Sequence, residues 1–200
     1  PYFVAGAIYS GFAMVLLLAI PLRTFYGLKA FITDNHLEVM GKILIATGML
    51  TCYGYFSEQF MAWYGQVPSE HQLYTNRGIG FGQMSFAYWG TIFCNAIPIQ
   101  FLWLKRVRRN PIALFIISLF ITLGMWLERY FIITTSLHRD FLPSSWGMFQ
   151  PTIWDYLTYF GTIGFFLVAF LLFIRLLPVI SMSEMRALLP AGQPAREEGR

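Results

Sequence analysis

Charge is what this chain has least of. Asp, Glu, Lys and Arg make up only 12% of its 200 residues, against about 25% in soluble globular domains. So sparse a charge excludes an ordinary water-soluble domain. Cysteine is nearly missing as well: Cys52 and Cys94 both fall inside apolar stretches, without a CxxC, CxxCH or other metal-ligand spacing, so no disulfide framework and no thiolate metal site is implied. There are three histidines, none mid-span opposite another, which argues against bis-histidine haem ligation. The glycine-rich GIGFG at 78–82 lacks the following Lys and Ser/Thr of a phosphate cradle and reads as loop. The chain opens on Pro1 with no basic n-region and no cleavage pattern, so its first apolar run is not expected to be a signal peptide. A processed chain, or a piece of a longer one, is expected.

What the chain does have is apolar length. It is 56% hydrophobic and 18% aromatic, with a mean hydropathy of +0.55. Five stretches reach the roughly 20 residues needed to cross a hydrocarbon core. The expected fold is all-α, a polytopic transmembrane helical bundle with spans at about 2–22, 39–63, 86–104, 111–136 and 153–177. A polar loop over 65–84, holding Glu70, His71 and Arg77, joins the second and third spans, and 181–200 reads as a largely disordered tail. Gly6 with Ser10 and Ala7 with Gly11 form small-xxx-small pairs that suit close helix packing. Pro21 and Arg23 mark the exit of the first span. Asn35 with Glu38, and Thr152 with Asp155, have capping-box spacing, and His36 reads as an interfacial or capping side chain. Pro98 predicts a kink.

The net charge of +4 lies in short loops, where it determines topology rather than gripping phosphates, so no nucleic-acid partner is expected. One side of the membrane collects Arg23, Lys29, Lys42, Lys105, Arg106, Arg108, Arg109, Arg175, Arg186, Arg196 and Arg200. The other has Arg77 and Arg139, with Arg129 inside a span. The positive-inside rule makes the first side cytoplasmic, together with the C-terminus. The loop containing His138 then faces outward.

Ionisable residues inside a span are costly and mark function by default. Glu58, the neighbours Glu128 and Arg129, and Asp155 meet that condition. At about 1.5 Å per residue, Glu128 lies roughly 15 Å below His138 and Glu58 roughly 10 Å below the end of its span. All therefore belong to the outer half of the membrane. Glu128 and Arg129 point about 100° apart and cannot share one partner. The set reads either as a buried ion-pair network, with Arg129 bridged to Glu58 or Asp155, or as a proton path; Asp155 leans to capping. His138, Arg139, Asp140 and Trp146 at the outer mouth could orient a polar headgroup, dock another subunit, or simply form a self-bonded loop.

WLERYFII at 126–133, TSLHRDFLPSSWG at 135–147 and PTIWD at 151–155 carry a resemblance, joined by FVAGAIYSGFA at 3–13, YGYFSE at 53–58 and ISMSEMR at 180–186. The chain resembles the polysulfide-reductase-type, NrfD-like membrane subunits, most of all the quinol-oxidising ActC-type subunits of bacterial alternative complex III. The resemblance implies a multi-pass protein of the bacterial inner membrane, of which these spans match the second half of a two-bundle architecture. The first bundle, where the family's quinone pocket is mainly placed, is absent from this sequence. It implies menaquinol or another quinol bound by the complex, and no haem or iron–sulfur cluster in this chain. The implied partners are a periplasmic iron–sulfur subunit, c-type haem subunits and a second NrfD-like subunit. The chain would then be part of a quinol:electron-acceptor oxidoreductase, inactive alone, with Glu58, Glu128, Arg129 and Asp155 serving a proton path or structural network and the His138 loop facing the iron–sulfur subunit. Two other readings stand beside it: half of a transporter or ion channel, whose charges should lie near the midplane rather than toward one face, and a purely structural anchor for redox subunits.

Overall fold

The computed structural model describes residues 2–68, 70–71, 83–138, 142, 144, 147 and 150–177, and the backbone alone of 30, 83, 84 and 138. Among the described residues every regular element is helical. The helices are α1 (Tyr2–Phe25), α2 (Asp34–Gly65), α3 (Gln83–Phe101), α4 (Lys105–Arg108), α5 (Pro111–His138) and α6 (Ile153–Leu176), with one 3-10 turn at Leu28–Ala30. Four of them, α1, α2, α5 and α6, are long and apolar enough to cross a membrane.

The helix ends show which sequence signals prevail. Pro21 does not end α1, which runs on to Phe25; Arg23 turns inward and meets Asp34 at 2.6 Å. A left-handed Gly27 (φ 68°) then makes the turn, a conformation that suits a residue without Cβ. α2 starts earlier than expected because its N-cap is Thr33, not Asn35. The Thr33 N–H donates to His36 Nδ1 at 3.2 Å, so His36 takes the place expected of Glu38. Thr152 and Asp155 do form the expected box at the start of α6: the Thr152 N–H and hydroxyl donate to Asp155 Oδ2 at 2.7 and 2.8 Å. α3, in place of the span expected at 86–104, stops at Phe101. Arg108 ends it by donating from Nη1 to the Leu102 and Trp103 carbonyls at 2.6 and 3.0 Å.

The chain divides into two compact units, residues 1–147 and 148–200, with α6 in the second. In the first unit α1 packs against α2 and α5, while α3 packs against α5 and more lightly α2. Successive helices reverse direction, which gives an up-down-up-down four-helix bundle. One end carries Arg23, Asp34 and α4; the other carries Tyr2, Gly65 and His138. The apolar core lies toward the Arg23 end. It is built from Tyr9, Ala13, Leu16 and Ile20 on α1, Leu37, Leu44 and Ile45 on α2, and Leu114, Ile117, Ile121 and Met125 on α5, closed by Ile99 and Leu102. Steps of three and four residues place the α1 and α5 sets each on one helix face, and on α2 Leu37 and Leu44 stand two turns apart.

Of the small-xxx-small pairs, Gly6 does face a neighbour, a Cβ there lying 3.3 Å from Met125 Cε. Ala7 and Gly11 do not, and the tightest approaches fall at glycines outside both pairs. Gly11 has open space where a Cβ would be, and Ala7 is exposed. At Gly48 a Cβ would collide with Ile99 and the Tyr9 ring, and at Gly54 with the Tyr2 ring. α2 is therefore the helix whose backbone lets α1 side chains in.

Candidate functional site

Toward the Tyr2 end the bundle is not filled. A cavity of about 790 Å³ lies between α1, α2, α3 and α5, lined by Tyr2, Phe3, Leu50, Tyr53, Tyr55, Glu58, Thr91, Ile92, Glu128 and Phe131 among others. Its walls are mainly apolar, with a few polar groups, which is the usual make-up of a small-molecule site. Phe3, Leu50 and Tyr53 are exposed, so the cavity communicates with the outer surface of the bundle.

The polar groups converge on one carboxylate. Glu128, only 4% exposed, accepts a hydrogen bond from the Tyr2 hydroxyl at Oε1 (2.7 Å) and from the Tyr55 hydroxyl at Oε2 (2.6 Å). Asn95 Nδ2 donates to the Tyr55 oxygen at 2.8 Å and lies 3.6 Å from Met125 Sδ. The Tyr2 and Tyr55 rings meet edge to face, their centroids 5.9 Å apart. Gly54 makes room for Tyr2 on α2, one residue before Tyr55. Carboxylate oxygens each have two lone pairs, so two phenol donors leave Glu128 able to accept a further hydrogen from a ligand in the cavity.

The structure thus separates residues that sequence reasoning grouped. Glu128 is buried and Arg129 exposed, the two pointing apart as helical geometry requires. The Arg129 guanidinium lies 5.9 Å from the centroid of the Phe3 ring, a cation–π placement. Glu58 is exposed on α2 and lines the same cavity as Glu128. Asp155 is held in the α6 capping box, in the second unit. The His138 side chain, Arg139, Asp140 and Trp146 lie outside the described residues, as do Arg77, the glycines at 78–82 and the tail from 178. Among the described residues no group of three His, Cys, Asp or Glu side chains is arranged to hold a metal ion.

Sequence reasoning missed Tyr2, Tyr55 and the role of Asn95. Neutral phenols do not stand out in a chain that is 18% aromatic. The usable signal was register: Tyr55 and Glu58 are three apart on one helical face, and Asn95 is a polar residue in an otherwise apolar stretch. It missed, too, that Glu38 is nearly enclosed and pairs with Arg109 (2.8 Å) and Lys42 (3.4 Å), tying α4 back to α2.

A comparison with protein families gives a match over residues 1–139 to the family described as polysulphide reductase, NrfD. That stretch contains the four-helix bundle and every residue of the cavity. The chain belongs to the NrfD family. No curated protein matches it. As an NrfD protein it is a multi-pass membrane subunit that works with redox partners. In this NrfD bundle the cavity offers an apolar slot, a buried carboxylate with fixed donors, and a second carboxylate at the exposed edge. That set can bind a flat apolar ring bearing hydroxyl groups and accept protons from it.

Proposed function

We propose that this NrfD subunit takes part in quinol oxidation, with menaquinol or a related hydroquinone seated in the Glu128 cavity. The observation that supports this most directly is the convergence of the Tyr2 and Tyr55 hydroxyls on Glu128 at the wall of an apolar cavity. Oxidation of a hydroquinone to a quinone releases two electrons and two protons. In this reading Glu128 accepts the first hydroxyl proton, its charge until then held by the two phenol donors. Glu58, exposed on the same cavity, accepts the second and returns protons to water. The electrons leave to an iron–sulfur subunit docked near the His138 loop and onward to c-type haem subunits. A second NrfD-like subunit completes a complex of the alternative complex III type, with proton release on the periplasmic side of a bacterial inner membrane.

The resemblance in the sequence favours a quinol pocket in the first bundle of the family's two-bundle architecture. The cavity is the reason for assigning quinol contact to this bundle. Its volume lies within the roughly 300–1,000 Å³ range of small-molecule sites, and its polar groups occupy one wall, as a ring with a hydroxyl edge requires.

The test uses the complex purified from native membranes through a tag on this chain. It should carry iron–sulfur and c-type haem subunits and oxidise a short-chain naphthoquinol with ferricyanide as acceptor. Glu128→Gln keeps the shape and loses the base, and should lower kcat by about 100-fold, within the range of general-base effects, with the partners still bound. Full turnover in that variant would remove Glu128 from the chemistry.

A further inference from the structure

We infer that Asn95 is a positioning residue for this chemistry, acting through Tyr55 to hold Glu128 ready for a proton; the inference rests on the quinol reading above. A phenol has one hydrogen to donate, and its oxygen can accept one from elsewhere. Tyr55 uses both: it accepts from Asn95 Nδ2 at 2.8 Å and donates to Glu128 Oε2 at 2.6 Å. The amide therefore decides which way the phenol hydrogen points. Without that donor the Tyr55 hydroxyl is free to rotate, and Glu128 loses one of its two fixed partners.

The surroundings of Asn95 argue for a directional role rather than packing. The residue is fully enclosed, and among the described residues its Oδ1 has no hydrogen-bond partner. A buried acceptor left without a donor is destabilising, so a site selected for packing alone would favour Leu. The amide is also held in place. A Cβ on Gly124 would come within 2.5 Å of Asn95 Oδ1, so the bare Gly124 backbone is what lets the amide sit there. The Asn95 main-chain carbonyl accepts the Tyr9 hydroxyl at 3.1 Å, which pins α3 to α1 at the same level. Gly124 and Glu128 are one turn apart on α5, so the residue that makes room for the amide shares a face with the residue it serves.

A double-mutant cycle in the purified complex tests this with the same naphthoquinol and ferricyanide, quinol concentration being varied to separate kcat from KM. Asn95→Leu should lower kcat about fivefold, the size of one lost neutral hydrogen bond, with KM little changed. Tyr55→Phe should do the same. The double variant should be no slower than Tyr55→Phe alone, because Asn95 has nothing left to orient; a structural role would give losses that multiply. Asn95→Ser, too short to reach Tyr55, provides the same cycle if the leucine variant does not assemble. Multiplying losses, or unchanged kcat in both Asn95 variants, would overturn the positioning role while a slow Glu128→Gln left the quinol reading intact. Full activity in Glu128→Gln would overturn both.

Discussion

At the scale of single residues, Gly48 illustrates how this bundle closes. Tyr9 is completely enclosed, and its hydroxyl is committed to the Asn95 carbonyl, so the ring cannot swing aside for a new methyl group. Ile99, the other neighbour of the missing Cβ, is equally enclosed. Gly48→Ala should therefore destabilise the chain by about 1–3 kcal/mol, as overpacking of a filled core does. Gly11→Ala, where a Cβ meets nothing, should stay within about 0.5 kcal/mol. Thermal melts of the two purified variants separate them, and equal midpoints would contradict the packing described. Sequence alone points the other way, because Gly11 belongs to a small-xxx-small pair and Gly48 does not. Spacing shows that a glycine could face a neighbour, but only the rotation of the helix within the bundle decides whether it does. The same holds at the site. Glu128 is conspicuous as a charge in an apolar run, whereas its pairing with Tyr2 and Tyr55 forms only once three helices have been brought together.

At the scale of elements, local signals were legible where one stretch of chain supplies all the partners. Thr152 and Asp155 lie three residues apart, and their capping box forms as read. The alternation of apolar runs and short polar links likewise specifies the long helices. Signals that depend on a remote partner were not legible. Glu38 has capping-box spacing from Asn35, yet its carboxylate is engaged by Arg109, 71 residues further along the chain. That pairing gives α4 its place: Arg109 reaches Glu38, while Arg108 lies across Gly41 and binds the carbonyls that end α3. Glu38→Ala should accordingly free the link without unfolding the bundle, whose core lies elsewhere. The expected result is faster amide hydrogen exchange over residues 105–109 with unchanged protection in the middle of α5. Exchange unchanged at 105–109 would show that the Arg108 contacts suffice.

At the scale of the whole molecule, the up-down-up-down order brings the basic residues of three separate segments to one end of the bundle. Arg23 lies in the last turn of α1 and Lys29 follows it, Lys42 lies near the start of α2, and Lys105, Arg106, Arg108 and Arg109 fall between α3 and α5. Asp34 and Glu38 neutralise part of this charge, but the orienting bias depends on Lys and Arg rather than on net charge. Each basic residue near an anionic leaflet contributes about 1 kcal/mol, so several acting together outweigh the sparse Lys and Arg of the opposite end. The Arg23 end should therefore face the cytoplasm, and the Tyr2 end, with the Glu128 cavity, the outer half of the membrane. Single-cysteine labelling tests the orientation. Arg106→Cys, at an exposed position of α4, should react with a membrane-impermeant maleimide in inverted vesicles and not in intact spheroplasts. Tyr64→Cys, exposed at the far end of α2, should react in spheroplasts. The parent chain, with Cys94 buried and Cys52 partly so, supplies the background. Labelling in the reverse order would put the cavity in the cytoplasmic half and move the docking side for any iron–sulfur partner to the cytoplasm.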